Sequence, residues 1–183
     1  MNILAIDPGT TESAYVIFNP EENKILGLGL LDNVLFTHKL MGLRKQRDLV
    51  MVLERIKSYG GMVGDSIFTT CAWSGIFVNT FGVDRVWLMG RREVLSRLDI
   101  TGGSTDRQVR ERVIAVLGNI KGMKKDVWQA AGLALAFASN SGKFMGWDYL
   151  YDRAEGTGSE LDFGYVLKPK EKNVKVRSWE GKI

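Results

Sequence analysis

Short apolar runs broken by turn residues open the chain. Residues 3–6 are apolar and stop at Asp7-Pro8-Gly9, a turn signature. Residues 14–18 (AYVIF) are rich in strand formers, and after the turn Asn19-Pro20-Glu21-Glu22-Asn23 a third run covers 25–31. Three such runs joined by turns predict an antiparallel meander. Residues 32–48 are weakly patterned and basic, a helix or a loop. Residues 49–56 (LVMVLERI) are apolar except near their end, as a central buried strand should be.

Helical spacing follows over 66–81, with Ile67, Cys71, Ser74, Gly75 and Val78 on one side and Phe68, Phe77 and Phe81 flanking it. A strand is predicted at 83–89 and a short helix at 92–98. An amphipathic helix at 105–117 starts with Thr105 and Gln108 in capping-box spacing, and an Ala-rich helix covers 126–138. The expected class is α/β: a five-stranded mixed sheet, three antiparallel strands and then two more, flanked by helices. Residues 1–149 form the expected domain, and 150–183 a peripheral segment ending in a basic tail.

Composition narrows the chemistry. Cys71 is the sole cysteine, which excludes an intramolecular disulfide and a thiolate zinc cluster. His38 is the sole histidine, so catalytic triads and histidine-rich metal sites are excluded too. Any hydrolysis must run on carboxylates and a hard metal. No apolar run approaches the roughly 20 residues of a membrane span, and the N-terminus lacks the basic start of a signal peptide. A cytoplasmic, reducing location is expected. The net charge of +4 resides in residues 168–183, which hold six Lys/Arg and two Asp/Glu. A basic tail on a neutral body suits a polyanionic partner such as DNA, or is simply solvated.

Three carboxylates stand out. Asp7 ends the first strand, either as a turn residue bonding the amides of Gly9 or Thr10 or as a cation ligand. Glu54 lies in an apolar strand where an unpaired charge costs several kcal/mol. It either reaches solvent or Arg55 and Lys57, or joins Asp7 if the first and fourth strands are adjacent. Asp126 opens the Ala-rich helix, where with Gln129 it forms a capping box, and an N-cap aspartate can still ligate a metal. Asp106 is a further candidate, though an acid in a first turn also suits the helix dipole. Asp7, Glu54 and Asp126 together suit two Mg²⁺ roughly 4 Å apart, activating water for phosphodiester hydrolysis.

Four stretches, IDPGTTESAYVIF (6–18), VLERIKSYGGMVG (52–64), TGGSTDRQVRERV (101–113) and KKDVWQAAGLALA (124–136), together resemble the RuvC-type Holliday-junction resolvases, especially phage-type relatives. The resemblance spans roughly residues 1–140. It implies a ribonuclease H-like fold, a homodimer, Mg²⁺ or Mn²⁺ with two ions per active site, and paired nicks in a four-way DNA junction. It also implies catalytic and metal-binding roles for Asp7, Glu54 and Asp126, with Asp106 as a possible fourth carboxylate. Bacterial members carry a second carboxylate one helical turn after the first, where this chain has Gln129.

Arg91, Arg92, Arg107, Arg110, Lys121, Lys124 and Lys125 are candidate phosphate contacts, and Tyr59 and Met62 candidate wedges against junction bases. Trp73 and Phe77 belong either to a dimer face or to the core. The rivals are a nucleotide-binding fragment of the actin, sugar-kinase and chaperone superfamily, whose phosphate loop the IDPGTT motif also resembles, and a non-catalytic junction-binding protein. RNA–DNA hybrid remains an alternative substrate.

Overall fold

Parallel pairing between the first and fourth strands organises the molecule. The structure is a computed structural model that describes residues 1–56, 64–101, 106–120 and 123–139. The meander runs through β1 (Asn2–Asp7), β2 (Glu12–Asn19) and β3 (Lys24–Asp32), followed by α1 (Asn33–Leu43) and β4 (Leu49–Arg55). Then come α2 (Asp65–Phe81), a 3-10 turn at Val83–Arg85, β5 (Val86–Gly90), α3 (Arg91–Arg97), α4 (Asp106–Leu117) and α5 (Lys125–Ala138). The strand order is β3-β2-β1-β4-β5. The meander pairs are antiparallel, and β1–β4 and β4–β5 are parallel. This is the mixed sheet that the hydrophobic pattern predicts. The proposed boundary at residues 149 and 150 lies outside the described residues.

The central strands are apolar throughout because both sheet faces are covered. Successive side chains of a strand point to opposite faces. Ile3 and Ala5 of β1 join Val50 and Val52 of β4 in a core beneath α5. Leu4 and Ile6 join Leu49, Met51 and Leu53 in a second core with Phe36 and Leu40 of α1 and Phe77 and Phe81 of α2. Tyr15 stacks on Phe36 at 5.3 Å and Phe36 meets Phe77 edge-on at 5.1 Å, which locks the second core.

Helix α5 is buried at every position from 127 to 137. Its small residues let it lie close to the sheet and to α4. Gly132 faces Val109 of α4 so closely that a Cβ there would overlap the valine side chain.

The buried residues of α2 are Thr70, Ser74, Phe77 and Phe81; of the expected side, Ser74 is buried, Ile67, Cys71 and Val78 are half-buried and Gly75 is exposed, and the flanking Phe68 is exposed. Of the two alternatives for Phe77 and Trp73, the core holds for Phe77, which is fully buried, while Trp73 is half-buried against the same core. Buried hydroxyls are tolerated because each donates to a carbonyl one turn back: Thr70 Oγ1 to Ser66, Ser74 Oγ to Thr70, both 2.8 Å.

Candidate active site

The register of β1 on β4 brings two carboxylates to the same end of the sheet. Ile6 pairs with Leu53, so Asp7 and Glu54 follow as the next residues on adjacent parallel strands, about 4.8 Å apart between strand axes. The carboxyl ends of parallel strands are the usual binding edge of such sheets.

Asp7 is held by the loop behind it. Ser13, fully buried, accepts from the Gly9 amide at 3.2 Å and donates to Asn33 Oδ1 at 2.6 Å. Asn33 Nδ2 returns a hydrogen bond to the Gly9 carbonyl at 3.1 Å. A Cβ on Gly9 would run into the Glu12 carbonyl, so this turn requires glycine. Asp32 caps α1 by accepting from the amides of Val34 and Leu35, which fixes Asn33. Sequence reasoning missed Ser13 and Asn33; the signal was two polar residues beside apolar strands with no evident solvent role.

Glu54 is mostly buried, at 16% side-chain exposure, and its carboxylate lies 3.7 Å from Arg91 Nη1. Arg91 is the first residue of α3, directly after β5, whose Met89 pairs with Glu54. Its Nη2 reaches Asp106 Oδ1 at 3.1 Å and its Nη1 donates to Gln129 Oε1 at 2.7 Å. Arg91 is thus an internal cation among acids, a position its sequence context did not reveal.

Asp106 opens α4, and Lys125 Nζ holds its second oxygen at 2.7 Å. Asp126 lies in the first turn of α5, but the N-cap is Lys124, with no side-chain capping bond. The capping box of Asp126 and Gln129 is therefore corrected: the helix starts two residues earlier than the motif suggests. Gln129 is buried and does other work, with Nε2 donating to the Asp106 carbonyl at 3.4 Å. The Thr105 cap lies outside the described residues.

Two of these acids, Asp7 and Glu54, are held above the ordinary carboxylate range. Asp7 is pushed from 3.8 up to about 7, first by burial, then by the negative charges of Glu54 and Asp126, with Arg91 opposing and Asp106 adding slightly. Burial also raises Glu54, against the pull of Arg91 and with a smaller push from Asp106. Among the described residues, no three acidic side chains close into a preformed metal cage. The donor set nonetheless suits a hard divalent cation: all are oxygens, and the buried carboxylates of Asp7 and Glu54 would be stabilised by a shared positive charge.

A cleft of about 270 Å³ adjoins the acids, lined by Asp106, Arg107, Arg110, Met123, Lys125, Trp128 and Gln129. Arg107 pairs with Glu111 at 2.7 Å, and Arg110 lies over the Trp128 ring at 5.4 Å. Arg92 and Lys124 are exposed beside this region, at the starts of α3 and α5. Tyr59, Met62 and Lys121 lie outside the described residues.

The sequence matches no protein-family model and no curated protein. Solved structures do match. Thermus thermophilus RuvC superposes with a TM-score of 0.61 at 17% identity, over 77% of this chain and 95% of that one. T. thermophilus RuvC in complex with a Holliday junction substrate gives 0.63 at 15% identity, over 77% and 94%. The chain has the RuvC fold. On this ribonuclease H-like frame of three antiparallel and two parallel strands, the RuvC-like sheet carries Asp7 and Glu54 at one edge, with Asp106 and Asp126 at the helix starts facing it. No described helix is long and apolar enough to cross a membrane.

Proposed function

We propose that this protein is a metal-dependent endonuclease that resolves four-way or otherwise branched DNA, acting as a homodimer. The observation that carries the reading is the placement of Asp7 beside Glu54 at the ends of adjacent parallel strands of a RuvC-like sheet, with Asp7 raised to about 7 first by burial and then by the charges of Glu54 and Asp126. The solved relative bound to a Holliday junction supports the same substrate class here.

Asp7, Glu54 and Asp126 would hold Mg²⁺ or Mn²⁺. When bound, such an ion activates water and stabilises the leaving oxygen of a phosphodiester. The chain's own residues do the positioning. The Gly9–Ser13–Asn33 lock aims Asp7, strand pairing aims Glu54, and α5 brings Asp126 towards both. Arg107, Arg110 and Lys125 line a cleft suited to a phosphate backbone, giving sequence-independent grip on the strand to be cut.

The test is cleavage of a synthetic four-way junction with Mg²⁺ or Mn²⁺ by wild type, Asp7→Asn and Glu54→Gln, run beside linear duplex and RNA–DNA hybrid. Binding by all three proteins and junction cleavage by wild type alone is the expected result. Equal cleavage by the variants would remove the carboxylates from the chemistry. Binding without any cleavage would favour a junction-binding protein, a reading that the neutral Gln129 supports. ATP binding in the absence of DNA would favour the actin-like alternative.

A further inference from the structure

Arg91 and Gln129 change the charge balance of the acidic site, and this bears on how many metal ions it takes. The inference rests on the nuclease reading and refines it.

Both oxygens of Asp106 are engaged, Oδ1 by Arg91 at 3.1 Å and Oδ2 by Lys125 at 2.7 Å. Asp106 is therefore committed to side-chain cations. Gln129 fixes this arrangement from beneath: its amide oxygen accepts from Arg91 and its amide nitrogen donates to the Asp106 main chain. Arg91 also lies within ion-pair distance of Glu54. A guanidinium presents a rigid planar fork of donors, suited to holding several acceptors at once. Asp7 and Asp126, by contrast, make no ion pair with any described residue. Among the described residues the four carboxylates face two side-chain cations, Arg91 and Lys125; fully ionised, they keep two negative charges, which one divalent ion neutralises.

We infer that Arg91 serves as a built-in second cation, held by Asp106 and Gln129, so that the site takes one divalent metal ion where the resemblance implies two. Asp7, Glu54 and Asp126 remain to hold that ion. Arg91 is a positioning residue in this scheme: it keeps Glu54 and Asp106 apart from a second ion and presents positive charge beside the first.

The test is calorimetric titration of the full-length protein with MnCl₂ in the absence of DNA, with electron paramagnetic resonance of the bound Mn²⁺. Wild type is expected to take one Mn²⁺ per chain and to show the spectrum of isolated ions. Arg91→Met is expected to take two and to show the spin-coupled signature of a close pair. Arg91→Lys, which keeps the charge, should return the count to one. Two ions per wild-type chain would overturn the inference while leaving the nuclease reading standing, provided the junction is cut. One ion in folded Arg91→Met would overturn it as well. No Mn²⁺ binding by wild type would sink both readings together. Should Arg91→Met fail to fold, the wild-type count decides alone.

Discussion

Ser13 donates to Asn33 across 2.6 Å, joining the start of β2 to the start of α1 beneath the loop that follows Asp7. Both residues are buried, and both also bond Gly9. The turn that follows Asp7 thus depends on two buried, uncharged residues.

Asn33→Ala leaves the buried Ser13 hydroxyl and the Gly9 carbonyl each short of a partner. The expected loss is about 1–3 kcal/mol of folding stability, read as a lower urea midpoint at unchanged slope. Junction cleavage should fall with it, because the loop no longer fixes Asp7. A variant with the wild-type midpoint would show that the lock is ornamental.

Asp7 makes stability depend on pH in an unusual direction. Its folded-state value of about 7 exceeds the ordinary 3.8, so the folded protein holds this proton more tightly than the unfolded chain. The group's favourable contribution is complete below about pH 4 and is lost as pH rises through 7. In metal-free buffer, wild type should therefore lose stability between pH 4.5 and 8 relative to Asp7→Asn, which lacks the titration. Mg²⁺ added at pH 8 should raise the wild-type midpoint and leave Asp7→Asn nearly unmoved. Parallel pH profiles for the two proteins would contradict the assignment.

Gly132→Ala places a methyl group against Val109, where α4 and α5 meet. Overpacking of this kind destabilises by roughly 1–3 kcal/mol. Pairing it with Val109→Ala should recover part of the loss, which a double-mutant comparison of urea midpoints would read out.

Arg110→Ala removes one cation from the cleft beside the acids. If it contacts a phosphate, junction affinity should fall for all sequences alike, and the slope of log K against log salt should shrink by about one. An unchanged slope would place the DNA elsewhere.

Much of this architecture was legible in the sequence because strand and helix periods are local. The meander, the buried fourth strand and the Ala-rich helix follow from which positions are apolar, whereas the adjacency of β1 and β4 was only a condition until their parallel pairing supplied it. What was not legible depends on contacts between distant segments. Helix α2 is apolar around most of its circumference, so its pattern did not choose a face; the sheet chose the one through Phe77 and Phe81, and Thr70 and Ser74 came along by bonding their own backbone. Asp126 and Gln129 have capping-box spacing, yet Lys124 takes the cap and frees Gln129 to hold Arg91. Arg91 reads as one more basic surface residue until β5 is laid beside β4 and delivers it to Glu54.

The parallel pairing that joins Asp7 to Glu54 leaves Asp126 to a helix encoded more than a hundred residues after Asp7. A chain emerging from the ribosome presents Asp7 well before α5, and Asp126 joins the other acids only once α5 has been made and laid over β1 and β2. On the proposed reading, the acidic cluster is completed only late in synthesis, so a copy lacking α5 is expected to lack nuclease activity.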